Sequence, residues 1–176
     1  AFRKGLRRLS TLIPWDTDPS TLVHDTSDYY MSLFLYNDEH KTIVDKNKSF
    51  AGITDNVTNK LVFDFDSKTD INLAKADALN LALKFVDLGV GADCMRAFFS
   101  GMKGFGLEID LNQYLTSQEV KSIISNLSKE FKTLDTQIHD SNRIIRVVNS
   151  RHQESGLYKI PLELYELEEW SVDQIK

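Results

Sequence analysis

Leu61-Val62-Phe63-Asp64-Phe65-Asp66 alternates between two kinds of side chain. In an extended chain, successive residues face opposite ways. Leu61, Phe63 and Phe65 therefore form an apolar face that can pack on a helix, and Val62, Asp64 and Asp66 share the other. Downstream, Asp70 or Asn72 can cap a helix over 73–88, with Ala76, Leu79, Leu83 and Val86 at helical spacing. Gly89 stands where a helix-ending glycine belongs. Residues 94–99 read as a strand, 100–104 as a glycine loop and 105–111 as another strand. Thr116-Ser117-Gln118-Glu119 is a capping box that opens a helix running to about residue 131. A strand over 143–148, a turn over 149–156 and an extended stretch over 158–162 complete the series. The order strand–helix–strand–strand–helix–strand predicts an α+β (α/β) fold with an antiparallel-rich sheet, related to the split βαβ arrangement.

Upstream the pattern is less regular. Arg3, Lys4, Arg7 and Arg8 fall in an arm, 2–13, that reads as an amphipathic helix ended before Pro14. Residues 14–28 read as loop, 29–36 as a strand and 37–40 as a polar turn, while 45–60 carries no clear periodicity. The end of the chain, from Glu163, is acidic, and 171–176 reads as the start of a helix that leads into a longer protein. The expected organisation is a basic arm and loop over 1–28, a catalytic domain over 29–162 and an acidic tail over 163–176.

Composition bounds the function. The 176 residues carry 21 Lys+Arg against 26 Asp+Glu, a net charge of −5 that disfavours nonspecific coating of nucleic acid but not a local basic groove. With 41% hydrophobic and 27% charged residues, global disorder and coiled coil are excluded. No apolar run approaches the ~20 residues of a membrane span, and no signal-type stretch opens the chain. The single Cys94 excludes an intramolecular disulfide and a cysteine-based zinc site, and fits a reducing compartment.

Three groups of residues can do chemistry. Asp64 and Asp66, two apart on a strand, point the same way, so their oxygens can share hard divalent cations such as Mg²⁺ or Mn²⁺. A polar strand face beside a turn is the plainer reading. A calcium loop fails, because the sixth position is Thr69 and the twelfth is Lys75. Ser100-Gly101-Met102-Lys103-Gly104 lets backbone N–H groups approach an anion beside a lysine, although it is not a P-loop. Arg146, on a strand able to face the aspartates, can grip phosphate with its fork of donors, and His152 in the next turn offers another. Asp135 or Asp140 can complete the carboxylate set, Asp135 being better placed after apolar Leu134. His24, His40, His139 and His152 lack metal-ligand spacing, and no Ser/His/Asp set emerges.

In this order the motifs resemble the archaeo-eukaryotic primase superfamily, and more narrowly the primase-polymerase domains of phages and plasmids. The resemblance covers roughly residues 61–162. It rests on a strand ending in Asp64-Phe65-Asp66, then Ser100-Gly101-Met102-Lys103-Gly104-Phe105, then Leu134-Asp135. Arg143-Ile144-Ile145-Arg146 and the turn from Arg151-His152 to Ser155-Gly156-Leu157 follow. It implies a catalytic sheet like that of an RNA-recognition motif, with flanking helices and an N-terminal mixed subdomain. It further implies two Mg²⁺ or Mn²⁺ ions on Asp64, Asp66 and Asp135, and a triphosphate touched by Ser100, Lys103, Arg146 and His152. The implied activity is template-dependent nucleotidyl transfer, as in a DNA primase or polymerase, with release of pyrophosphate. The implied partners are single-stranded DNA template, nucleoside triphosphates and a fused or separate helicase, in the cytoplasm of a bacterial or archaeal host and with no membrane. One departure stands out: the family's second motif ends in a triphosphate-contacting histidine, and Gly106 occupies that place. The alternatives are therefore a noncatalytic nucleotide- and nucleic-acid-binding replication module on the same sheet, or a metal-dependent nuclease using the same aspartates.

Overall fold

The structure, a computed structural model, describes residues 12–14, 17–18, 29–137 and 140–176. The basic residues of the arm, its expected helix up to residue 11, and His24 and His139 lie outside the described residues. The elements are β1 (Tyr30–Ser32), α1 (Asp38–Asn47), β2 (Val57–Asp66), α2 (Ile71–Asp87), β3 (Met95–Phe99), β4 (Gly104–Thr116), α3 (Ser117–Leu127), β5 (Ile144–Arg146), β6 (Ile160–Leu162), α4 (Leu164–Glu169) and α5 (Val172–Ile175).

The fold is α+β. β2, β4, β3 and β6 form a four-stranded antiparallel sheet in that order. One face is the core. Leu61, Phe63 and Phe65 of β2, Phe105, Leu107 and Ile109 of β4, and Met95, Ala97 and Phe99 of β3 bury against α2 and α3. The apolar rows of α2 (Ala74, Ala78, Leu81, Ala82) and α3 (Val120, Ile124) supply the other half. Each fully buried Leu, Ile or Phe contributes roughly 1.5–3 kcal/mol. Asp70 caps α2 through Asn72 N–H, and Thr116 with Glu119 forms the expected capping box on α3. α4 and α5 put Leu167, Val172 and Ile175 into the same core.

Several readings change. The strand expected over 29–36 is only Tyr30–Ser32, the helix expected to run to about residue 131 ends at Leu127, and the acidic tail carries helices α4 and α5. Residues 37–40, expected as a polar turn, begin helix α1, because Asn37 and His40 close a capping box around its first turn. β2 starts at Val57 and β4 runs to Thr116, so both strands outreach the expected spans. The strand expected over 143–148 is only three residues and leaves the main sheet. It pairs with β1 as a separate ribbon, Tyr30 opposite Arg146. Apolar Leu33, Phe34 and Ile145 seat that ribbon on Val62, over the open face of the main sheet.

Candidate functional site

Cross-strand partners share a face, so the register writes out the open face in rungs. Asp66 lies opposite Gly104, and Asp64 opposite Gly106. Gly106 lies opposite Phe98, and Phe98 opposite Pro161. Val62, Glu108 and Arg96 make the next rung, and Lys60 and Asp110 the one after. Lys60 and Arg96 both pair with Asp110.

Asp135 joins the first two aspartates by backbone pairing. Leu134 bridges to Phe65 on the free edge of β2, with Asp66 N–H on Thr133 O and Asp135 N–H on Asp64 O, each 2.8 Å. Leu134 is buried in the core, so its neighbour Asp135 turns to the side that carries Asp64 and Asp66. The three carboxylates feel one another. Burial, first, and then the charges of Asp66 and Asp135 push the Asp64 carboxyl up to about 6, against the pull of Lys159 and Arg143. The Lys103 ammonium meets this cluster at 2.7 Å from Asp66 Oδ2. Its bond to Asp66, joined by the charges of Asp64 and Asp135, holds Lys103 above its ordinary value despite some desolvation. Gln137 N–H occupies one oxygen of Asp135 at 2.8 Å. Among the described residues no three His, Cys, Asp or Glu side chains are closed into a metal-holding group. The donor set is nonetheless of the hard-oxygen kind that suits Mg²⁺ or Mn²⁺, and a cationic group already lies against it.

The glycine loop is built for close backbone approach. Gly101 has φ +84°, and a Cβ there would press on Tyr158 O at 2.9 Å. A Cβ on Gly104 would collide with Phe65 O. Gly106 differs: a Cβ would meet only Phe63 O at 3.4 Å, an ordinary contact, so the backbone does not require glycine there. Ser100 Oγ accepts from Gly104 N–H at 3.1 Å and shapes the loop.

A pocket of about 160 Å³ opens at Gly106, with Asp64, Phe98, Ser100, Glu108, Arg146 and Lys159 among its walls. Arg146 Nη2 donates to Ser100 O, while its Nε and Nη1 are buried without a partner. His152 is not among the pocket-lining residues. Its turn packs on the glycine loop through Ser155 Oγ, which donates to Gly101 O, and its Nδ1 accepts from Glu154 N–H at 3.2 Å. Asp140, the other carboxylate considered, pairs with Lys121 at 3.3 Å. Glu108, Lys159, Arg143 and Tyr30 line the pocket as well; Arg143 and Lys159 belong to the basic stretch 143–159 that the sequence marks out, though the sequence gives none of the four a role of its own. Glu108 was detectable as an acid among Phe105, Leu107 and Ile109, out of phase with them. The other three depend on how the ribbon folds over the sheet.

No protein-family model and no curated protein matches the sequence. The fold is similar to that of the polymerase domain of Ligase D from Mycobacterium tuberculosis, solved in complex with DNA. The TM-score is 0.58 at 14% identity, over 81% of this chain and 54% of that chain. The chain thus spans about half the length of that structure, and at this identity the likeness is one of fold. Among the described residues no helix is long and apolar enough to cross a membrane.

Proposed function

We propose that the chain is a template-dependent nucleotidyltransferase of the primase-polymerase kind, close to the phage and plasmid type. It would join nucleotides on a single-stranded DNA template with release of pyrophosphate. The observation that carries this reading is the meeting of Asp64, Asp66 and Asp135 beside a pocket walled by Ser100, Gly106 and Arg146. The similar fold of a DNA-bound polymerase domain supports it.

Asp64, Asp66 and Asp135 would hold Mg²⁺ or Mn²⁺. Bound there, such ions activate a hydroxyl and neutralise charge at the reacting phosphorus. The chain's own part is positioning and electrostatics, which phosphoryl transfer chiefly needs. Arg146 offers two unspent donors to phosphate oxygens, and Lys103 adds a point charge at the mouth of the glycine loop. Ser100 fixes that loop, and its carbonyl fixes Arg146. His152 contributes from the turn packed on the loop. A helicase partner and a bacterial or archaeal host cytoplasm belong to the same reading.

The test is incorporation of labelled ribo- and deoxynucleotides on primed and unprimed single-stranded DNA with Mn²⁺ or Mg²⁺. Asp64→Asn, Asp66→Asn and Asp135→Asn should each abolish it while the fold persists. Normal turnover in Asp135→Asn would remove the third ligand and point to Asp140. A second reading, a noncatalytic nucleotide- and nucleic-acid-binding module, draws on Gly106, which supplies no donor where a side chain would fit. Nucleotide and template binding without incorporation under any metal would favour it. Degradation of a labelled strand without nucleotides would instead indicate a nuclease.

A further inference from the structure

Arg146 sits on the weakest element of the site. β5 has three residues and pairs with β1, also of three, and a two-stranded ribbon of this size has little stability of its own. Among the described residues its guanidinium is fixed through Nη2 on Ser100 O, with Nε and Nη1 buried without partners. Buried donors without partners are costly, so other contacts must hold the guanidinium in place against that cost. The backbone of the same residue is held by a side chain from just before β6. Lys159 Nζ donates to Arg146 O at 3.1 Å. That ammonium is itself pinned, at 3.2 Å from Glu108 Oε1 and 4.3 Å from the centre of the Phe98 ring. Both partners are nearly closed to solvent, with Lys159 12% and Glu108 10% exposed. The Lys159 main chain also pairs with Asn149 and Ser150, just past β5. One lysine therefore joins β4 of the main sheet to β5 of the ribbon.

We infer that Lys159 and Glu108 are positioning residues for the nucleotide triphosphate. Glu108 anchors Lys159, and Lys159 clamps the Arg146 carbonyl so that the free guanidinium donors stay in the pocket beside Gly106. A buried ion pair is a poor source of net stability, since apolar side chains of equal volume would serve as well. Its value here is geometric, because an apolar pair would leave Arg146 O without this clamp. The inference rests on the nucleotide-binding reading of the pocket.

The experiment is a double-mutant cycle on the full chain. ATP and dATP are titrated with Mn²⁺ into wild type, Lys159→Met, Arg146→Ala and the double variant, with the thermal midpoint recorded for each. Lys159→Met should weaken binding about tenfold or more, and Lys159→Arg should recover part of it. In the Arg146→Ala background Lys159→Met should cost little further, because the two act as one unit. A lysine that merely supported the fold would lower affinity equally in both backgrounds. Additive losses, or unchanged affinity in Lys159→Met, would overturn this inference and leave the nucleotide-binding reading standing. Wild type that binds neither nucleotide would overturn both. Should Lys159→Met fail to fold, Glu108→Gln, which keeps the volume and frees the ammonium, is carried through the same cycle and read by the same outcomes.

Discussion

Asp64 shows what a buried carboxylate among like charges costs a fold. Its carboxyl is pushed up to about 6 by burial and by Asp66 and Asp135, against an ordinary value of 3.8. The folded chain therefore binds that proton more tightly than the unfolded chain. Stability attributable to this group is complete below the ordinary value and is lost as pH rises to about 6. Asp64→Asn carries no such charge. In chelator, it should be more stable than wild type at pH 7.5, by roughly 1–3 kcal/mol, and no more stable at pH 3.5. Urea unfolding at the two pH values measures this; a less stable Asp64→Asn at pH 7.5 would contradict it. The glycines separate in a similar way. Gly104→Ala should destabilise by about 1–3 kcal/mol or more, because its Cβ meets Phe65 O, whereas Gly106→Ala should be nearly neutral. If the triphosphate site is otherwise sound, Gly106→His should then strengthen nucleotide binding by about 1–2 kcal/mol. Thermal midpoints and nucleotide titration of the three variants decide the matter.

The elements place Asp135 through contacts that no local pattern announces. The outer edge of β2 accepts a bridge from Leu35 at Val57 and another from Leu134 at Phe65, and the residue before Leu134 is tied to helix α2. Asp77 Oδ2 accepts from Thr133 N–H at 2.9 Å and from Thr133 Oγ1 at 2.8 Å. Asp77→Ala should thus loosen the 133–135 segment without touching the pocket. The expected result is a stability loss of about 1–3 kcal/mol together with a weaker apparent affinity for Mn²⁺, read from the metal dependence of incorporation. An unchanged metal dependence would mean that Leu134 and the Asp135 N–H bond suffice. The same contrast explains what was legible beforehand. Alternation exposed β2, its inward phenylalanines and its outward aspartates, and helical spacing with caps exposed α2 and α3. Helix α1 was not legible as one, because the capping box that its N-cap Asn37 opens is closed by His40 and not by Glu or Gln, and the hydrogen bonds of His40 to Asn37 and Asp55 appear only in the folded chain. Arg146 stands out in the sequence as a candidate, but its ribbon does not, since three residues are too few for a pattern to show which sheet they join.

Across the whole molecule, one core serves both the sheet and the end of the chain. Leu167, Val172 and Ile175 belong to the same buried cluster as Phe63, Phe65, Leu107 and Ile124. Acidic composition made 163–176 read as a tail, yet Leu164, Leu167, Trp170, Val172 and Ile175 within it turn toward the core. α4 and α5 are six and four residues long, too short to be stable alone, so they are helical because they pack. Leu167 is fully buried, and Leu167→Ala should cost about 2–5 kcal/mol. The loss should appear as a shift of the single unfolding transition, with no separate early phase for the segment, because its contacts are those of the main core. Intrinsic tryptophan emission in a Trp15→Phe background is a suitable probe, since the remaining Trp170 lies against that cluster and reports on the segment itself. Helix content by far-UV circular dichroism reports chiefly on α2 and α3. Coincident urea transitions by the two probes, both moved to lower denaturant by Leu167→Ala, are the expected result. A tryptophan transition that precedes the loss of helix would instead make the C-terminal segment an independent layer on a core already complete without it.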